Sequence, residues 1–178
     1  RAASGFLWQR FGPERASSDR SRRICLMRVF RLIRKKYGIE LSGKGAALSG
    51  NRWNSKGTEL IYCADSRALA MAEVAVHLSL SILPKDYVMV EIDIPSYTSI
   101  ATLSKEDLPV HWSSFPHILD TQQIGDVFVS ERKNCVLKVP SAVVPGNFNF
   151  LINPHHPDFS AIRIVGQEDF PFDQRLFK

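Results

Sequence analysis

Glu73 is a residue whose surroundings in the sequence indicate chemistry. Residues 65–83 are predicted to form a helix, which Asp65 or Ser66 can cap and which ends before Pro84. At 100° per residue, the apolar stripe of this helix comprises Leu69, Ala72, Val76, Leu80 and Leu83. Glu73 falls within the stripe, so its carboxylate is predicted to point inward. Because burying an unpartnered carboxylate is costly, we expect it to line a cavity, with a structural ion pair as the alternative.

Arg31 is a cation inside an apolar segment. The run from Val29 to Ile33 predicts a first strand, in which alternation places Arg31 on the same face as those two residues. A guanidinium in that position either reaches out to solvent along its aliphatic stem or is held inward for a partner. The segment alone favours the first of these interpretations.

Arg52 follows a glycine-rich stretch. The segment from Gly38 to Gly57 is predicted to be a loop that ends in the sequence Asn51-Arg52-Trp53-Asn54. Such a loop can bring main-chain amides close to a phosphate. Its spacing matches neither a Walker loop nor a dinucleotide-binding fingerprint, so the pattern by itself is a weak indication of nucleotide binding.

Metal binding is not indicated. His155 and His156, together with Asp158, resemble a ligand set, but Pro154 and Pro157 flank them and predict a rigid surface turn. The three cysteines stand far apart and include no CxxC pair: Cys25, Cys63 and Cys135. This pattern is typical of a protein in a reducing cytoplasm, and no apolar run approaches the roughly 18 residues that span a membrane.

The elements that must position these side chains are mostly short strands. They are predicted at residues 29–33, 60–64, 87–94, 127–129, 136–139 and 161–165. Strict alternation over 87–94 predicts one face in the core and one in solvent. Without a regular strand–helix–strand order, the chain is predicted to be a single α+β domain with small, twisted, mostly antiparallel sheets and one prominent helix.

Charge is concentrated at the start of the chain. Residues 1–26 contain six arginines and two acidic residues, whereas the rest of the chain carries a net charge of only +1. Since this first segment lacks any sustained period, we expect it to be disordered and to precede a single domain over 27–178. A basic arm that contacts nucleic acid is the alternative, but the nearly neutral body argues against direct nucleic-acid binding.

Six short motifs in order resemble the RES domain, a family named for its arginine, glutamate and serine. They are Phe30-Arg31, Gly50-Asn51-Arg52-Trp53, Ile61-Tyr62, Ala70-Met71-Ala72-Glu73, Val139-Pro140-Ser141-Ala142 and Asn153-Pro154-His155-His156-Pro157. The resemblance implies a fold similar to the ADP-ribosyltransferase toxins, with NAD as substrate and no further cofactor. It also implies a cognate DNA-binding antitoxin that blocks the site, and it suggests a homodimer.

Carried over motif by motif, the resemblance implies a site of Arg31, Arg52, Tyr62, Glu73 and Ser141. Ser130 also lies near a predicted strand end and is the alternative to Ser141. The two arginines would clamp the pyrophosphate, and Tyr62 would stack on nicotinamide or bond a ribose. Glu73 would hold a ribose hydroxyl and stabilise the cation that develops on the ribose. Ser141 would position the nicotinamide or its ribose.

Three function classes follow from this sequence. The first is a toxin that cleaves the nicotinamide–ribose bond of NAD with water or phosphate as acceptor, so that NAD is depleted and growth stops. The second is an ADP-ribosyltransferase that modifies a protein. The third is a non-catalytic module that binds a partner or nucleic acid, which would need a basic stripe in the folded part.

Overall fold

The described part of the chain folds into one seven-stranded sheet with three α-helices around it. A computed structural model describes residues 26–78, 84–173 and 175. The strands are β1 Leu26–Arg34, β2 Ile61–Ala64, β3 Tyr87–Pro95, β4 Ile100–Thr102, β5 Val136–Pro140, β6 Phe148–Ile152 and β7 Arg163–Asp169. The helices are α1 Lys44–Ser49, α2 Arg67–Ala75 and α3 Leu119–Glu131, and short 3₁₀ turns lie at Lys35–Tyr37, Lys105–Asp107 and Pro157–Ala161.

The sheet confirms the predicted α+β class and corrects its details. Its strand order is β4-β5-β6-β2-β1-β3-β7, and every neighbouring pair is antiparallel except β4 and β5. The small separate sheets of the prediction are therefore one continuous sheet. The strands predicted at 29–33, 60–64, 87–94, 136–139 and 161–165 all correspond to strands of this sheet, whereas β4 and β6 were not predicted.

Strand β3 is buried on both faces, contrary to the alternation in its sequence. Val88, Val90 and their even-numbered neighbours pack in one core cluster, while Tyr87 and Met89 pack in a second cluster that includes residues of α2. Met89 has no exposed surface. The predicted solvent face is wrong because α2 covers one end of it, and Asp93 near the other end is buried in an ion pair with Arg28.

Helix α2 begins as predicted but is shorter. The hydroxyl of Ser66 accepts a hydrogen bond from the amide of Leu69 and caps the helix. The helix ends at Ala75, and Val76 is 57% exposed, so the apolar stripe does not continue past the third turn. Leu80 and Leu83, which completed the predicted stripe, lie outside the described residues.

Two further helices occupy segments that were predicted otherwise. The predicted strand at 127–129 lies within α3, whose buried face is Thr121, Gly125 and Val129 at a spacing of four residues. The predicted loop from Gly38 to Gly57 contains α1. At thirteen residues, α3 is longer than α2, so α2 is not the single prominent helix of the residues that the structure describes.

The basic N-terminal segment was predicted to end at residue 26. Residues 1–25 lie outside the described residues, and Leu26 begins β1. No helix of the described chain is long and apolar enough to cross a membrane.

Candidate functional site

One cavity of about 340 Å³ gathers most of the predicted site residues. It lies between β1, β2 and β6 on one side and α1, α2 and the segment around residue 115 on the other. Its polar and ionisable walls are Arg31, Asn51, Arg52, Tyr62, Cys63, Glu73, His77, His117 and Asn149. The remainder of its lining is apolar, as in most small-molecule sites.

Glu73 reaches this cavity from the last turn of α2. Its Oε1 accepts two hydrogen bonds, from the Ser141 hydroxyl at 2.7 Å and from the Asn149 side-chain amide at 2.6 Å. Oε2 has no hydrogen-bond partner among the described residues. The carboxylate therefore lines the cavity and forms no ion pair with a described arginine or lysine, which favours the predicted cavity carboxylate over a structural ion pair.

Ser141 immediately follows β5 and is buried. Besides donating to Glu73, its hydroxyl accepts hydrogen bonds from the amides of Val143 and Val144, each at 3.0 Å. Ser130, the alternative serine, is exposed on α3, and its hydroxyl bonds the carbonyl of Val127 within the same helix. Of the two serines, only Ser141 contacts another predicted site residue.

Arg31 lines the cavity instead of reaching out to solvent. Its guanidinium donates one long hydrogen bond, 3.4 Å, to the carbonyl of Ser42. Burial lowers the pKa of Arg31, because desolvation disfavours the charged form. Arg28 and Arg34, which belong to the same strand, each form an ion pair with an aspartate. No described carboxylate forms an ion pair with Arg31.

Arg52 also lines the cavity without a carboxylate in an ion pair, within the part of the chain that the structure describes. One guanidinium nitrogen, Nη1, donates to the main-chain carbonyls of Trp112 and Ser114. Burial lowers the pKa of Arg52, while the negative charge of Glu73 acts in the opposite direction. Nε and Nη2 bond no described residue, so part of this planar donor group is available for an anion.

Tyr62 places its ring against the cavity and uses its hydroxyl to hold the turn that carries Arg52. The hydroxyl donates to Asn54 at 2.7 Å and accepts from the amide of Trp53 at 3.1 Å. Burial raises the pKa of this phenol, which is thus neutral at ordinary pH. What Tyr62 offers to a ligand is therefore chiefly its ring, which suits the stacking role more than the ribose bond.

The sequence did not single out Asn149 or the rim of the cavity. Asn149 belongs to β6, a strand that was not predicted, although the sequence FNFLI is typical of one. The rim is formed by His77, Phe115 and His117. His77 stands four residues after Glu73, one helical turn further along, which was the available signal for it, whereas the segment that carries Phe115 and His117 had no predicted structure.

The geometry supports neither a nucleophilic role for Cys63 nor metal binding by His155 and His156. Cys63 is 4% exposed, and burial raises the pKa of its thiol to about 12, so it is not a nucleophile at neutral pH. His155 lies 3.4 Å from Glu59, His156 bonds the amide of Asp158, and neither histidine lines the cavity. No group of three metal-binding side chains occurs among the described residues.

Comparison with known proteins identifies the family. Residues 27–173 match the RES domain. The chain is 36% identical over 141 residues to the Prs ADP-ribosylating toxin of Sphingobium sp. (strain YBL2), covering 78% of this chain and 88% of that toxin. It is 38% identical over 154 residues to the Toxin Res of Photorhabdus laumondii and 35% identical over 152 residues to the Toxin Res of Yersinia enterocolitica, covering 85% and 84% of this chain and 98% and 99% of those toxins.

The fold is shared with a solved structure. The crystal structure of the M. tuberculosis MbcT-MbcA toxin-antitoxin complex contains a chain that superposes with a TM-score of 0.68. The match covers 86% of this chain and 87% of that one at 19% sequence identity. The similarity therefore establishes a common fold.

Proposed function

The chain belongs to the RES-domain family, and from this premise we propose that it is a toxin that destroys NAD by cleaving the bond between nicotinamide and ribose. The observation that carries the proposal is the composition of the cavity. Two arginines without carboxylate partners among the described residues line the same cavity as a glutamate with one free oxygen. NAD has the complementary groups, namely an anionic pyrophosphate and a ribose that becomes cationic in the transition state.

The arginines bind the pyrophosphate. Arg31 and Arg52 each have guanidinium nitrogens without a protein partner in the described chain, and a guanidinium matches phosphate oxygens with two parallel hydrogen bonds. Burial removes water from both guanidinium groups and lowers their pKa values. An anion that replaces this water is therefore bound favourably. The aromatic ring of Tyr62 provides an apolar surface for the nicotinamide.

Glu73 acts on the reacting ribose. When the C1′–N bond breaks, its electron pair goes to the nicotinamide nitrogen and neutralises the pyridinium, while positive charge develops on the ribose. Oε2 of Glu73 has no hydrogen-bond partner among the described residues. It accepts a hydrogen bond from a ribose hydroxyl and stabilises this charge. Water then adds to C1′ and releases a proton, giving ADP-ribose. Ser141 contributes through Glu73, because its hydroxyl is engaged by that carboxylate.

A protein acceptor is the second candidate, and a specific finding favours it. A relative with 36% identity is named for ADP-ribosylation of Prs. In that reaction a nucleophilic side chain of the target replaces water, and ADP-ribose stays attached to the target. Inorganic phosphate would act as acceptor in the same manner.

The products of labelled NAD distinguish these acceptors. The purified full chain is incubated with NAD labelled in the adenosine part, first in buffer, then with phosphate, then with a bacterial extract. Free labelled ADP-ribose in buffer indicates hydrolysis, and label retained on a protein indicates transfer. Intact NAD in all three mixtures would refute the proposal.

The cellular setting follows from the same family. We propose that the toxin acts in the cytoplasm on the NAD pool and is blocked by a DNA-binding antitoxin. The shared fold with the toxin of a toxin-antitoxin complex supports the antitoxin. A homodimer is a further part of this proposal, which light scattering of the purified protein would test.

A further inference from the structure

Asn149 lies in β6 with its side chain in the cavity. Its main chain pairs with Ala64 of β2 on one side and Val139 of β5 on the other, so its Cα position is fixed within the sheet by a strand on each side. Its side-chain amide donates to Glu73 Oε1 at 2.6 Å. The same oxygen receives the hydroxyl of Ser141 at 2.7 Å.

We propose that Asn149 is a positioning residue that, together with Ser141, fixes the carboxylate of Glu73 so that Oε2 faces the substrate. This inference rests on the proposed function. The last torsion of a glutamate side chain has a broad energy profile, so a single hydrogen bond does not define the plane of the carboxylate. Two donors on one oxygen, one from β6 and one from the residue that follows β5, restrict that rotation and leave the other oxygen without a partner among the described residues.

The amide is the group that this position requires. An aspartate of the same shape would lose the donor and place a second negative charge within hydrogen-bond distance of Glu73. A leucine would preserve the volume but donate nothing. Glu73 also holds a ribose hydroxyl, but the charge that it stabilises develops only in the transition state, so misorientation of the carboxylate lowers kcat much more than it raises KM.

The test compares Asn149→Leu and Asn149→Asp with the wild-type chain. We expect kcat for NAD loss to fall by roughly 10- to 100-fold in Asn149→Leu, the loss typical of one hydrogen bond to a charged group, and further in Asn149→Asp. KM should change by less than a factor of about three, because the substitution leaves the groups that bind the pyrophosphate in place. Asn134→Leu is the matched control, because the Asn134 side chain makes no hydrogen bond among the described residues; its kcat should equal that of the wild type.

Two further readouts separate this inference from the proposed function. Crystal structures of the wild type and of Asn149→Leu should show the carboxylate of Glu73 turned away from its wild-type plane in the variant. An induced wild-type chain should arrest growth, and the variant, at equal soluble level, should not. If the wild type arrests growth while NAD stays intact, the proposed function fails. The growth assay then still shows whether toxicity depends on Asn149. Unchanged kcat, unchanged growth arrest or an unmoved carboxylate in Asn149→Leu would overturn the inference.

Discussion

The Cα of Gly125 in α3 lies directly against the main-chain carbonyl of Trp53. A Cβ at position 125 would approach that carbonyl oxygen to 1.7 Å, which no side chain tolerates. On either side of this contact, Gln122 donates to the carbonyls of Asn51 and Asn54, and Asp126 accepts from the amide of Ser55. Helix α3 therefore fixes the turn that carries Arg52, which is how a distant helix positions the cavity.

Replacing Gly125 with alanine should damage the fold. The methyl group would force α3 away from the turn, because main-chain atoms cannot rearrange as a side chain can, and overpacking of this kind costs about 1–3 kcal/mol or more. We expect a lower melting temperature and weaker NAD cleavage. Gly45→Ala is the control for stability, since nothing lies within 4 Å of a Cβ there. Equal melting temperatures for the two variants would contradict this packing.

The two serines provide a matched pair of substitutions. Ser141→Ala removes the donor to Glu73 and two acceptor bonds in the following turn, so NAD cleavage should fall by roughly tenfold or more. Ser130→Ala removes one bond within α3 on the exposed face and should leave the rate unchanged. Steady-state assays at several NAD concentrations measure both. A larger loss in Ser130→Ala would show that the wrong serine has been assigned.

Sequence reasoning identified those residues of the site that lie in segments with a recognisable local pattern. Glu73, Arg52 and Tyr62 lie in or beside segments whose pattern is local: a capped helix, a glycine-rich stretch and a short strand. Asn149 was missed because β6 is recognisable only once its neighbours β2 and β5 are known. The strand pattern alone favoured a solvent-facing Arg31, whereas the family resemblance placed it in the site, because alternation gives the face of a strand but not what covers that face.

Helix α3 shows a different limit. Val127-Phe128-Val129 has the composition of a strand, and Gly125 lowers helix propensity, yet both belong to a helix. The glycine is required by the contact with Trp53, which is 72 positions away in sequence. The spacing of Thr121, Gly125 and Val129 was the available signal for a helical face, but small and polar members made it weak. Tertiary packing thus overrides local preference in α3.

Arg52→Lys should separate charge from geometry. A lysine keeps the positive charge, but its single nitrogen cannot bond the carbonyls of Trp112 and Ser114 and still present a fork to a pyrophosphate. We expect KM for NAD to rise by about tenfold or more, the effect of losing a bidentate contact. Arg175→Lys is the control, because Arg175 is 81% exposed. An Arg52→Lys chain with wild-type KM would exclude Arg52 from substrate binding.

The imidazole of His117 should titrate below the ordinary pKa of a histidine. Burial and the nearby charges of Arg52 and His77 hold its pKa below the ordinary 6.5. The folded state therefore resists protonation of His117, so its contribution to stability is complete above pH 6.5 and is lost as the pH falls below that value. Proton NMR of the ring should give a midpoint below 6.5, and Arg52→Gln should raise it. A midpoint unmoved by Arg52→Gln would contradict the proximity of these charges.

The most direct test of the account is the concentration of NAD over time with the purified full chain beside Glu73→Gln. Glutamine retains the size of the side chain but removes the negative charge that stabilises the developing ribose cation. We predict rapid loss of NAD and release of nicotinamide with the wild type, and almost none with a Glu73→Gln chain of equal melting temperature. NAD that remains stable with the wild type, or that disappears equally fast with Glu73→Gln, would contradict it.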